Sequence, residues 1–253
     1  MSNGRVLGSP VTKLGAYAVV LGVALGGGAL AGATIGPQPS TDESEKAGHD
    51  GRAMAPVADP LPAGLAVSRD GYSLDLQHSI VDAGAPAELS FVIEGPDGRP
   101  VDEYDVEHDK ELHLVIVGRD LAGYAHVHPT RDADGVWTVT APAMTPGSYR
   151  VFADFVPAGG ERFTLGADLT VPGDHQPVPL PEPSTVSNVD GYEVSFAGEL
   201  AAGTESELTV TVARGGAPVT DLQPYLGAFG HLVAIRDGDL AYLHVHPLDE
   251  ANV

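Results

Sequence analysis

The sequence contains no cysteine. That excludes disulfides, thiolate metal sites, iron–sulfur clusters, thiol catalysis and an acylated lipoprotein cysteine. Basic residues are scarce: 13 Lys and Arg stand against 35 Asp and Glu, a formal net charge of -22 over 253 residues. Such an excess of acid, with no basic block, argues against nucleic acid and anionic membrane surfaces as partners. Aromatics make up only 6%. No Gly-x-Ser-x-Gly elbow occurs, and Gly26-Gly27-Gly28 sits in an apolar stretch rather than a phosphate loop. What is abundant is 32 Gly and 21 Pro. They interrupt long helices and suit a chain of short strands and turns.

One apolar run stands apart. Leu14 to Pro37 carries no charged side chain, and Arg5 and Lys13 precede it. As a helix it is long enough to cross a hydrocarbon core of about 30 Å. The basic flank places the N-terminus in the cytoplasm. Ala31-Gly32-Ala33 is an acceptable cleavage site, so a removed signal peptide is the alternative. The run exceeds the usual signal core of roughly 7–15 residues, which favours a retained single-pass anchor. In either case the bulk of the chain is extracytoplasmic.

The layout that follows is a cytoplasmic N-terminus (1–13), a transmembrane anchor or signal segment (14–37), a flexible spacer (38–66), a first β unit (67–172), a Pro-rich linker (173–186) and a second β unit (187–253). The spacer is rich in Pro, Ala, Gly and acid and lacks apolar periodicity. His49 and Met54 in it read as solvated tether residues, as does His175 in the linker.

The two units repeat one another. Gly98-x-Pro100-Val101 aligns with Gly216-x-Pro218-Val219. At the same offset, His113-Leu114-Val115 falls on His231-Leu232-Val233 and Tyr124 on Tyr242. His126-Val127-His128-Pro129 falls on His244-Val245-His246-Pro247, again without a gap. Runs of alternating Val, Leu, Ile, Thr and Phe end at Gly, Pro or Asp-Gly. In the first unit they predict strands near 72–78, 87–94, 111–118, 124–128, 136–140, 148–156 and 162–171. The expected fold is all-β: two tandem immunoglobulin-like β-sandwich units after an N-terminal transmembrane helix. Tyr149, in Pro146-Gly147-Ser148-Tyr149, is a candidate tyrosine corner. The second unit is expected to be incomplete, because nothing after His246-Pro247 matches residues 136–171. A fragment is the favoured explanation, with strands from another chain as the alternative.

The chemistry points to histidine. Six of the ten His hold three matched positions: His113/His231, His126/His244 and His128/His246. His49, His78, His108 and His175 have no counterpart. On a strand, residues i and i+2 share a face, so His126 and His128 project together. A hairpin through Arg119–Gly123 brings His113 opposite one of them. Three imidazoles on a rigid hairpin suit Zn(II), Cu(II) or Ni(II). The plainer reading is that the rings only brace the hairpin of a cell-surface structural or interaction module. A cupin-like metalloenzyme is a further alternative, since Gly238-x5-His244-x-His246-x3-Glu250 fits the first cupin metal motif. The first unit breaks that pattern at Asp120 and Asp132, and the second cupin motif is absent, so the match is read as coincidental.

With its anchor, sandwich pattern and paired His-Leu-Val and His-Val-His-Pro segments, the chain resembles exported bacterial immunoglobulin-like proteins of the YtkA-like and CopC-like kind, which handle copper. The resemblance covers residues 67–253 loosely. It implies copper rather than zinc, binding or delivery without catalysis, and a protein that donates or accepts the metal. The chain departs from this pattern in having no Met-rich stretch for Cu(I): beyond the start Met there are only Met54 and Met144.

Overall fold

The computed structural model describes residues 61–201 and 204–245, apart from the side chain of His244. The segment expected to be an anchor (14–37), its N-terminal flank, most of the expected spacer, His246 and Glu250 lie outside the described residues. Among the described residues the structure is all-β, and no helix is long and apolar enough to cross a membrane.

The first repeat supplies β1 (Ser68–Arg69), β2 (Tyr72–Leu76), β3 (Ala87–Glu94), β4 (Tyr104–Asp105), β5 (Leu112–Gly118), β6 (Ala125–Val127), β7 (Thr130–Arg131), β8 (Val136–Ala141), β9 (Gly147–Pro157) and β10 (Phe163–Val171). All seven strands expected from the alternation are present, joined by the short β1, β4 and β7. One sheet has the order β1-β2-β3-β8-β7, the other β10-β9-β5-β6, with β4 on β9.

The two sheets share one core. From the first come Leu74, Leu89, Phe91, Ile93 and Trp137; from the second Leu112, Leu114, Ile116, Val151, Phe155, Leu165 and Leu169. In β3 every second residue is buried, the mark of a strand with one face on the core. Trp137 stacks on Phe91 and meets Tyr104 edge-on. Its indole N–H donates to the Tyr104 hydroxyl at 3.3 Å, and burial pushes that phenol up to about 12. The Tyr149 hydroxyl donates to the Thr145 carbonyl at 2.9 Å, tying β9 to the turn before it.

β5 differs from β3 in being buried at every position. Its inward residues enter the core, so something must cover the outward set of His113, Val115 and Val117. The cover comes from the second repeat. That repeat forms β11 (Val186–Val189), β12 (Tyr192–Ala197), β13 (Thr209–Arg214) and β14 (Ala217–Pro218), a sheet in that order and largely exposed. Separate from it is a hairpin of β15 (Leu232–Ile235) and β16 (Tyr242–Val245). Leu240 and Tyr242 are buried against Val115, Val117 and Phe152, with Val233 and Ile235 packed alongside. The Tyr242 ring packs on Phe152 at a tilt of 38°, with centroids 5.1 Å apart. Burying each such side chain contributes about 1.5–3 kcal/mol. The hairpin therefore closes an apolar face that the first repeat alone would leave in water.

The chain entering the first repeat is part of this joint. The Gly64 N–H donates to the Thr164 carbonyl, and the Gly166 N–H to that of Ala66, so this segment pairs with the open edge of β10. The Tyr242 N–H donates to the Ala63 carbonyl at 2.9 Å. Arg150 binds the Gly64 and Leu65 carbonyls and the Asp168 carboxylate. Gly64 has φ +78, and a Cβ there would lie 2.6 Å from the Phe152 ring and 2.9 Å from Tyr242 Cβ. Glycine is needed both for its dihedral and for the close approach. The linker also lies on the first repeat. The Val178 N–H donates to Asp120 and holds its carboxyl below the usual range, and His175 Nδ1–H donates to the Pro146 carbonyl at 2.8 Å.

Candidate metal centre

The hairpin of β5 and β6 pairs Leu114 with Val127 and Val115 with His126. Continuing that register sets His113 across from His128, with His126 on the diagonal. Val127 turns inward and joins the partly buried residues at the core. All three rings thus stand on the outer face, where β5 adjoins β6.

The nitrogens converge. His113 Nδ1 lies 3.2 Å from His126 Nε2 and 3.2 Å from His128 Nε2. One ligand atom from each residue falls within 4.8 Å of the other two. Ring centroids are separated by 5.4, 5.0 and 4.9 Å. Imidazoles sharing one tetrahedral ion, with metal–nitrogen bonds of about 2.0–2.1 Å, have centroids about 5 Å apart.

The orientation of His113 is fixed from behind. Its Nε2 is 3.0 Å from the Glu107 carbonyl. A carbonyl only accepts, so the proton sits on Nε2 and the lone pair of Nδ1 faces His126 and His128. This is the arrangement by which a backbone carbonyl sets the tautomer of a metal-binding imidazole. A single lone pair makes one good hydrogen bond, yet two ring nitrogens approach it equally; a cation between them accommodates all three. His113 is buried, and its neighbours are half-buried. Burial, with the charges of His113, Lys110 and His231 nearby, lowers the pKa of His128 to about 4. A neutral imidazole is the form that binds metal.

The second repeat copies the frame. Val233 pairs with His244 as Val115 does with His126. His231 Nε2–H donates to the Tyr225 carbonyl at 2.7 Å, as His113 does to Glu107. Each acceptor opens a tight turn, Glu107–Lys110 and Tyr225–Ala228, closed by reciprocal backbone bonds. The middle residues have positive φ in both: His108 and Asp109 in one, Leu226 and Gly227 in the other. The repeat therefore extends back to the turn in conformation but not in sequence.

His231 sits beside the first triplet. Its ring is 6.5 Å from His113, 6.4 Å from His126 and 5.0 Å from His108. The side chain of His244 and the whole of His246 lie outside the described residues. His108, read from sequence as unmatched, belongs to the cluster and meets His113 at 6.2 Å. Tyr225 also faces both His128 and His231. Neither is marked in the sequence, since they are assembled by a turn whose residues differ between repeats. Arg162 binds Glu107 and Asp154 at the rim of this end of the sheet.

No curated protein matches the chain. A family described as "Domain of unknown function (DUF8832)" matches residues 66–173 and 187–253. These segments cover most of the sequence, and they include the core, both hairpins and every histidine of the cluster. The chain belongs to that DUF8832 family.

Proposed function

We propose that this protein binds a transition metal through His113, His126 and His128, and that it holds the ion without catalysing a reaction. The observation that carries this is the convergence of three imidazole nitrogens, with the tautomer of His113 fixed by the Glu107 carbonyl. A neutral all-imidazole set suits Cu(II), Ni(II) and Zn(II), and Cu(II) binds nitrogen ligands most tightly of the divalent series. Copper is accordingly favoured over zinc, in agreement with the resemblance to YtkA-like and CopC-like proteins.

The finer fold reading is immunoglobulin-like. The strand orders β2-β3-β8-β7 and β10-β9-β5-β6 correspond to the ABED and GFC-type sheets of that fold. The Tyr149–Thr145 bond has the form of a tyrosine corner. Residues 14–37 serve in this reading as the anchor that tethers the metal-binding part outside the cell membrane. A separate protein delivers or receives the ion.

Titration of the full chain with Cu(II) and Zn(II), beside a His126→Ala/His128→Ala variant, tests the reading. Binding that is lost in the variant supports it. Equal, weak binding by both proteins would leave the histidines as braces of an interaction module. Turnover at an ion with an open coordination position would instead favour a metalloenzyme.

A further inference from the structure

The triplet supplies three ligands, and a tetrahedral ion takes four. Three features indicate what fills the fourth position. His231 stands at nearly equal distances from His113 and His126, 6.5 and 6.4 Å between centroids. The Tyr225 ring lies beside both His128 and His231 and so links the two. Between the repeats lies a cavity of about 10 Å³ walled by His108, His113, His126 and His231. That volume is roughly what one water or one small ion requires. Leu232, Val233, Tyr242 and Val245 of β15 and β16 complete its lining.

We infer that His231 of the second repeat is the fourth ligand of the ion held by His113, His126 and His128, so that the metal fastens the two repeats together. The inference rests on the proposed metal binding at the triplet. The bond from Nε2–H to the Tyr225 carbonyl leaves Nδ1 as the coordinating nitrogen, the same atom that His113 offers. His108 meets the His231 ring edge-on, at 87° and 5.0 Å, and acts as a positioning residue behind it. Centroids of about 5 Å around a shared ion require His231 to move inward by about 1.5 Å from its present 6.5 and 6.4 Å. Gly230 precedes it, where even a Cβ would meet nothing, so the backbone is free to make that adjustment. A closed four-nitrogen site has no position left for a substrate, which accords with holding rather than catalysis.

The test uses the full chain loaded with Cu(II), comparing the parent with His231→Gln, whose amide retains a donor for the Tyr225 carbonyl. Pulsed EPR counts coordinated imidazoles, competition titration gives affinity, and hydrogen exchange follows β15 and β16. The expected result is one imidazole fewer in the variant and an affinity loss of at least ~10–100-fold, the scale seen for losing a mere supporting group. Metal-dependent protection of Leu232–Ile235 should vanish with it. An unchanged nitrogen count and affinity in His231→Gln would overturn the inference while leaving the triplet intact. Unchanged binding in His126→Ala/His128→Ala would overturn both.

Discussion

His113 and His231 hold the same position in two repeats, and the packing of those repeats brings their rings within 6.5 Å of one another. The contact follows from equivalent faces meeting. Val115 and Val117 of β5 are covered by Val233 and Ile235 of β15, together with Leu240 and Tyr242. A duplicated hairpin has thus become its own partner, and the polar end of one hairpin lies against the polar end of the other.

Replacing His113 should cost both stability and metal. The ring is 5% exposed and donates to the Glu107 carbonyl. His113→Ala is expected to lose about 1–3 kcal/mol in the metal-free state, from an unsatisfied carbonyl and a void. His126→Ala, at a half-buried position, should change metal-free stability far less yet weaken metal binding strongly. Urea unfolding and Cu(II) titration of the two variants check the contrast.

Acid should destabilise the metal-free protein in a defined window. The pKa of His128 is about 4 when folded, against an ordinary 6.5. The unfolded chain therefore takes up the proton first as pH falls, and the folded state loses ground. The contribution is fully present above pH 6.5, declines from 6.5 to 4 and is constant below that. His128→Gln should flatten this part of the profile, measured as unfolding free energy against pH with metal removed. Protons also displace metal from imidazole, so Cu(II) affinity should fall on the acid side of about pH 6.

Removing the Tyr242 ring should loosen the joint between repeats. Tyr242 is buried and its ring packs on Phe152. Tyr242→Ala is expected to cost about 3–5 kcal/mol. Gly64→Ala should act on the same joint, because its Cβ would collide with the Phe152 ring and the Cβ of Tyr242. Hydrogen exchange should show the loss concentrated in β15 and β16, with the core around Trp137 still protected.

The corner bond of Tyr149 is separable from the metal. Tyr149→Phe removes the hydroxyl that donates to Thr145 and keeps the buried ring. A loss of about 1 kcal/mol is expected, with Cu(II) affinity unchanged. A drop in affinity would show that the corner also positions β5.

Stripping the metal should lower the melting temperature of the parent. At free metal 100 times Kd the stabilisation is about 2.7 kcal/mol. A chelator added to the loaded protein should abolish it, and should have no effect on His126→Ala/His128→Ala.

Much of this was legible in sequence because it depends on short-range rules. Strand alternation in Leu89, Phe91 and Ile93 reflects which face meets the core. The spacing of His126 and His128 fixes their common face, and the hairpin fixes His113 beside them. Constant offset between repeats predicted a second hairpin of like register, and Val233 opposite His244 follows it. The sequence could not say which side of β5 would be solvent. A run of seven buried residues signals two covered faces, but not by what. Only tertiary packing decided that the second hairpin supplies the cover, that His231 and His108 join the first triplet, and that Gly64 and Arg150 lock the entry segment. These are contacts between residues far apart in the chain, governed by the shape of apolar surfaces rather than by spacing. The histidine pattern by itself marked the candidate ligands; docking of the repeats decided which rings lie side by side.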